Sequence, residues 1–125
     1  MADTIQLMAA PIVVTAGGTD KVQPVDQATD VAGYGRLDLA IDTLGGGPSS
    51  VVILTSMALH PSDSDWVEAA SILPIAPATS LPDNTANQVL TVPASGKTLF
   101  RYMRWKLTPG TSTGAVNITG LARRE

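Results

Sequence analysis

The chain predicts an all-β domain, a two-sheet β-sandwich of Greek-key or jelly-roll type with about seven to eight short strands. Eleven glycines and nine prolines interrupt its 125 residues so often that few windows hold three helical turns. Several runs alternate apolar and polar residues with the period of two that half-buried strands require. Gly, Pro, Asn or Ser bounds nearly every such run, as strand connections do.

In chain order, Ile12 to Thr15 is a short β-rich run closed by Gly17-Gly18, and Val22 to Val25 is a weaker edge candidate. Arg36 to Asp42 alternates cleanly. Leu37, Leu39 and Ile41 fall on one side, Arg36, Asp38, Ala40 and Asp42 on the other, and Gly45-Gly46-Gly47-Pro48 stops the run. Val51 to Leu59 begins apolar on both sides, as an interior strand does, and its spacing from the preceding run suggests a hairpin. Asp65 to Ile72 has two readings. Asp65 with Glu68 three residues on can open a helical turn, but the run as a whole leans toward strand. Leu73 to Asn87 carries Pro74, Pro77 and Pro82, which forbid a regular element and predict an extended connection. Gln88 to Val92 and Ala115 to Thr119 complete the shorter runs. The clearest strand is Leu99 to Leu107, with Leu99, Met103, Trp105 and Leu107 sharing one face with Arg101, and Phe100, Tyr102, Arg104 and Lys106 sharing the other. The predicted core is Leu37, Leu39, Ile41, Ile53, Leu107, Val116 and Ile118, with Trp105 at its edge.

The length fits one domain over residues 1–125, with an N-terminal arm over 1–15 and the Pro-rich connection over 73–87 as its extended parts. A 12.9 kDa chain folds to roughly 6,300 Å² of surface and buries about two-thirds of what it exposes unfolded, enough for a core without staples. The absence of cysteine excludes disulfides, thiolate metal sites and cysteine nucleophiles. The longest apolar run, Val51 to Leu54, falls far short of the roughly 20 residues that span a bilayer, so no membrane partner is expected. An early Asp3 and the lack of a basic stretch before an apolar core argue against a secretory signal, so the expected site of synthesis and assembly is the cytoplasm.

Charge is divided along the chain. Up to Ser95 there are ten acids against Lys21 and Arg36, whereas from Gly96 six bases face only Glu125. A chain this acidic repels nucleic acid, and its basic third is too small to track a phosphate backbone. The basic strand has two readings: a solvated face whose charges keep the protein soluble, or a face that docks an acidic partner, including the acidic part of a neighbouring copy, through Phe100, Tyr102, Arg104 and Lys106. Ile75 and Leu81 on the Pro-rich segment, with Ile5, Leu7, Met8 and Ile12 on the arm, are apolar residues on irregular segments and are expected to reach onto a neighbouring subunit.

Catalytic chemistry finds few footholds. The lone His60 lacks partners for a triad, and neither a Gly-x-Ser-x-Gly elbow nor a phosphate-binding glycine loop is present. No catalytic residue, metal or cofactor is assigned, and the chain is not expected to be an enzyme. Asp63 and Asp65 stand two apart in a loop as calcium ligands often do, but calcium takes six to eight oxygens, and Asp in a turn more often caps backbone amides. Trp66 and Trp105 could make a sugar-stacking platform; with only five aromatics in the chain, the core is the stronger claim on them. Asn117-Ile118-Thr119 matches a glycosylation sequon, read as chance.

Two stretches carry a resemblance. Leu37 to Asp42, then Val51 to Leu59, then Ser62-Asp63-Ser64-Asp65-Trp66-Val67-Glu68 resembles the strand, strand and Ser-Asp-x-x-x-Trp-like turn of small virion accessory proteins of tailed bacteriophages. Phe100 to Leu107 followed by Pro109-Gly110-Thr111-Ser112 resembles their late Arg-Tyr-x-Arg strand and polar loop. The likeness covers roughly residues 30 to 122; it departs in the turn, where Trp66 follows Asp63 closely and no glycine or asparagine intervenes. It implies a non-enzymatic sandwich in a virion: a capsid decoration or stabilising protein, or another head or tail accessory, assembled in the host cytoplasm with copies of itself and a major capsid or other virion protein. The alternative is a carbohydrate-binding or host-adhesion module with a host-surface glycan as partner.

Overall fold

A computed structural model of the chain describes residues 2–8, 11–45, 48–72, 85–110 and 113–124. These form ten strands: β1 (Ala2–Gln6), β2 (Ile12–Val14), β3 (Lys21–Val22), β4 (Thr29–Asp30), β5 (Tyr34–Gly45), β6 (Pro48–Ser56), β7 (Val67–Ile72), β8 (Thr85–Val92), β9 (Tyr102–Pro109) and β10 (Gly114–Arg124). The only helical elements among the described residues are single 3-10 turns at Val25–Gln27 and Asp63–Asp65. None of the described helices is long and apolar enough to cross a membrane.

Two antiparallel sheets face each other, one ordered β1-β10-β5-β8 with β2 also on β10, the other β3-β9-β6-β7 with β4 also on β9. β1 and β2 lie end to end along β10, against residues 119–123 and 114–116. β3 and β4 do the same along β9. Each pair is therefore one edge strand broken in the middle. Counted that way there are eight strand positions in jelly-roll order, the arrangement in which two Greek keys close over one core. The predicted sandwich is the observed one. The folded surface, 6630 Å², is close to the scaling expectation for one domain of this mass.

The core lies between the sheets and follows the alternation. In the first sheet Ile41 pairs Ile118, Leu39 pairs Gly120 and Leu37 pairs Ala122, while Val92 and Leu90 sit opposite Leu37 and Leu39 on β8. In the second, Val51 pairs Leu107 and Ile53 pairs Trp105. Every predicted core residue is buried in this layer, Trp105 included. Gly120 has a steric role: a Cβ there would stand 3.1 Å from Leu39 Cδ2, so its bareness lets the large Leu39 side chain fill the space. β7 carries a bulge opposite Ile53 and Leu54, which turns both Ala69 and Ala70 inward.

Three expectations are corrected. The Arg36 and Val51 runs are not a hairpin: β5 bonds to β10 and β8 in one sheet, and β6 bonds to β9 and β7 in the other. Each is apolar enough to need a central position, so the connection between them crosses the sandwich. Residues 2–8 and 12–14 are not an arm free for a neighbour, because β1 and β2 pair with β10 of their own chain, and Leu7 and Met8 are buried in the core. Thr85 to Asn87, assigned to the Pro-rich connection, already belong to β8. The rest of that connection, with Ile75 and Leu81, lies outside the described residues. In the Asp65–Ile72 segment the strand reading holds, from Val67; no helical turn opens at Asp65, and the 3-10 turn Asp63–Asp65 ends there instead.

Candidate binding surface

The side chains singled out on the outer face of β9 meet three different fates. At its start, Tyr102 is half-buried and the Arg101 guanidinium lies over its ring, 5.0 Å from the centroid. Arg101 Nη2 donates to Asp30 Oδ2 at 3.2 Å, and Asp30 Oδ1 accepts Ala32 N–H at 3.0 Å in a turn that closes β4. The Ala32 amide, and then the Arg101 guanidinium, hold the Asp30 carboxyl below the ordinary carboxylate range; Asp30 in turn raises Arg101. Val31 N–H donates to Arg101 O at 2.7 Å, which fixes the backbone beneath this pair. Phe100, half-buried, precedes the strand; its N–H donates to Thr55 Oγ1 at 2.8 Å, and that hydroxyl donates to Tyr102 O at 2.9 Å. The fully buried Thr55 thus anchors the start of β9.

Arg104, in mid-strand, departs from the expectation of an exposed docking residue: it is 4 % exposed. Its Nε donates to Gln23 O at 2.8 Å and its guanidinium lies 5.0 Å from the centre of the Trp66 ring. Two segments bury it. The break between β3 and β4 carries residues 23–28 out of the edge, and the β6–β7 connection folds Trp66 back onto the outer side of the sheet, where Trp66 Nε1 donates to His60 O at 2.9 Å. A tryptophan directly after the polar stretch Ser62 to Asp65 has to be covered somewhere, and that was the available sign of this second packing layer. Lys106, farther along, is partly exposed and lies 3.6 Å from Asp20.

The division of charge is settled within the chain. Lys97 pairs Glu68, Arg101 pairs Asp30, Lys106 pairs Asp20 and Arg123 pairs Asp38, each a base from the last third with an acid from the preceding part. Of these pairs only Arg123 and Asp38 lie on neighbouring antiparallel strands, β10 and β5; the others join a strand to a connection or strand end. A neighbouring acidic partner is therefore not needed to explain the basic stretch.

Trp66 and Trp105 do not form a platform. Trp105 points into the sandwich, where its Nε1 donates to Leu7 O at 3.3 Å, whereas Trp66 lies on the outer side of the same sheet against Arg104. His60 is exposed in the first half of the β6–β7 connection. No group of three or more His, Asp or Glu side chains converges as a metal site among the described residues; the calcium reading involves Asp63, whose side chain lies outside them. Asn117 faces outward on β10, half-buried between strands.

What sequence reasoning missed is the Asp30–Arg101–Tyr102 cluster. Arg101 was placed on the apolar face, but the strand begins only at Tyr102, and the irregular backbone before it lets Arg101 turn to Asp30.

No family model and no curated protein matches the chain. Solved structures do. A carbohydrate-binding module of lichenase 5A from Cellvibrio mixtus, solved with cellotriose, aligns over 98% of both chains at a TM-score of 0.52 and 11% identity. A Stig cyclase, Fisc from Fischerella sp. TAU, aligns over 98% of this chain and 85% of its own at 0.48 and 12%. A module specific for non-crystalline cellulose aligns over 98% and 86% at 0.42 and 11%. The first of these shares the sandwich fold; at such identity the likeness speaks for fold alone.

Proposed function

We propose that the chain is a non-enzymatic binding module whose ligand is a carbohydrate, held at the end of the sandwich where β4 and β9 meet. The observation that carries this reading is the Asp30–Arg101–Tyr102 cluster, its two charged side chains exposed and its ring half-buried. Sugars offer an apolar C–H face and closely spaced hydroxyls; an aromatic ring suits the first, and planar groups with spare donors and acceptors suit the second. Asp30 and Arg101 hold each other in place, and each retains further donor or acceptor capacity. The sandwich shared with the lichenase module, which was solved with a glucose oligomer, supports the ligand class.

Titrating soluble oligosaccharides into labelled protein and following amide shifts tests the proposal. Shifts confined to residues 30–34 and 99–102, lost in Tyr102→Ala, are expected. Binding that survives both Tyr102→Ala and Arg101→Ala, or the absence of any shift across neutral and acidic glycans, would overturn it.

A second reading, the virion accessory subunit implied by the sequence resemblance, draws support from a different place. Met57, Leu59 and Val67 are 65%, 47% and 51% exposed, and the register brings Val67 opposite Thr55, just before Met57. Exposed apolar residues grouped in this way mark protein contacts. This reading expects purified chain to add to particles, and Met57→Asp with Leu59→Asp to abolish the addition.

A further inference from the structure

Among the described residues nothing covers the outer face of the first sheet, which is ordered in rungs. Because Leu37, Leu39 and Ile41 point inward, Arg36, Asp38, Ala40 and Asp42 point outward. The register sets Arg123 beside Arg36, Leu121 and Thr91 beside Asp38, Thr119 and Val89 beside Ala40, and Asn117 beside Asp42. One end of the face is basic: Arg36 lies 3.2 Å and Arg123 3.4 Å from the single carboxylate of Asp38, so two guanidiniums share one acid. The centre is small or apolar, with Val89 70% exposed and Leu121 37%. The other end carries the acid Asp42, about 20 Å from Arg36 along the strand.

Such a face complements itself. We propose that it is a self-association surface, on which two copies pack about a two-fold axis lying between the sheets, so that Arg36 and Arg123 of each stand over Asp42 of the other. Reversing strand direction, as that axis does, brings basic end to acidic end twice and sets Val89 and Ala40 against the Leu121 rung. The size suits the purpose. Strands of 5, 3, 12, 8 and 11 residues, at about 3.4 Å per residue and about 4.8 Å apart, make a face of about 640 Å², at the lower end of the roughly 600–1,000 Å² that each partner of a stable complex buries. This inference does not depend on the glycan reading, although it leaves the Asp30–Arg101–Tyr102 cluster outside the interface and would present it twice.

Sedimentation equilibrium with charge-reversed variants tests it. The wild type should dimerise, more weakly as salt is added. Asp42→Lys and the double variant Arg36→Glu with Arg123→Glu should each raise the dimer Kd tenfold or more, because each sets like charges together at both contacts. An equimolar mixture of the two variants should dimerise again, since both contacts are then between opposite charges. Val89→Lys, which leaves the Asp38 cluster intact, should weaken association by a comparable factor and serves if the double variant fails to fold. A wild type that stays monomeric to about 1 mM, folded variants that dimerise as tightly as the wild type, or a mixture that stays monomeric would each overturn the proposal.

Discussion

Gln23 bonds twice to Trp105, once through its backbone and once through its side chain. Its N–H donates to Trp105 O at 3.0 Å, and its side-chain Oε1 accepts Trp105 N–H at 3.3 Å. The chain leaves the sheet after Gln23, so no strand partner lies beside Trp105 to accept that amide, and the glutamine side chain takes the carbonyl's place. Its Nε2 donates to Gln27 O at 2.7 Å and ties down the 3-10 turn that follows. Gln23→Ala leaves a buried amide unpaired and should destabilise the fold by about 1–3 kcal/mol in denaturant unfolding. Gln23→Glu, which keeps the acceptor and loses the donor, should also destabilise it. A neutral Gln23→Ala would show that water replaces the side chain without loss.

Arg104 and Lys106 should behave as opposites although they are two residues apart on one strand face. Arg104→Glu puts an acid against the Trp66 ring and the Gln23 carbonyl in a site closed to water, and should cost about 3–5 kcal/mol. Lys106→Glu meets Asp20 at the surface and should cost no more than about 1 kcal/mol. Urea melts of the two single variants check this. Similar midpoints would mean that the Arg104 site opens readily.

Much of the fold was legible because alternation is a local property. Leu37, Leu39 and Ile41 declare their side of the sheet whatever strand lies beside them, and the core followed from such residues. Partnership is not local. Nothing in Arg36 to Leu59 distinguishes a hairpin from a crossing between sheets, since the choice depends on β8, β9 and β10 claiming the neighbouring edges. The binding surface was legible only in part for the same reason. Strand alternation places Tyr102 on the outer face, but Phe100 precedes the strand, the ion pair of Arg101 depends on Asp30, 71 residues away in sequence, and the burial of Arg104 depends on two connections leaving their sheet.

Gly120→Val should cost about 1–3 kcal/mol, the range for overpacking a filled core. A Cβ at this position meets Leu39 at 3.1 Å and Ile5 O at 3.6 Å, and valine adds two methyls where β1, β10 and β5 run side by side. The strand preference gained by replacing glycine, about 0.5–1 kcal/mol, does not offset that. Combining Gly120→Val with Leu39→Ala should recover part of the loss relative to Leu39→Ala alone, because the new methyls occupy the emptied space. Strictly additive losses in thermal melts would refute the pairing.

Stability should fall on acidification through Asp30 and Asp38 together. Burial opposes ionisation of Asp38, but hydrogen bonds from Arg36, Thr91 and Arg123 outweigh it and hold the carboxyl below its ordinary 3.8. Asp30 is held down by the Ala32 amide and by Arg101. For an acid whose folded value lies below its unfolded one, the unfolded chain binds the proton first as pH drops. Their contribution is therefore complete above about pH 4, the unfolded carboxylate value, and disappears as pH falls through the lower folded values. Above that range these two groups should leave stability flat with pH. Asp38→Asn with Asp30→Asn should make the acid limb of the stability curve shallower, measured by urea midpoints between about pH 2 and 6. An acid limb of unchanged slope in the double variant would place the proton uptake on other carboxylates.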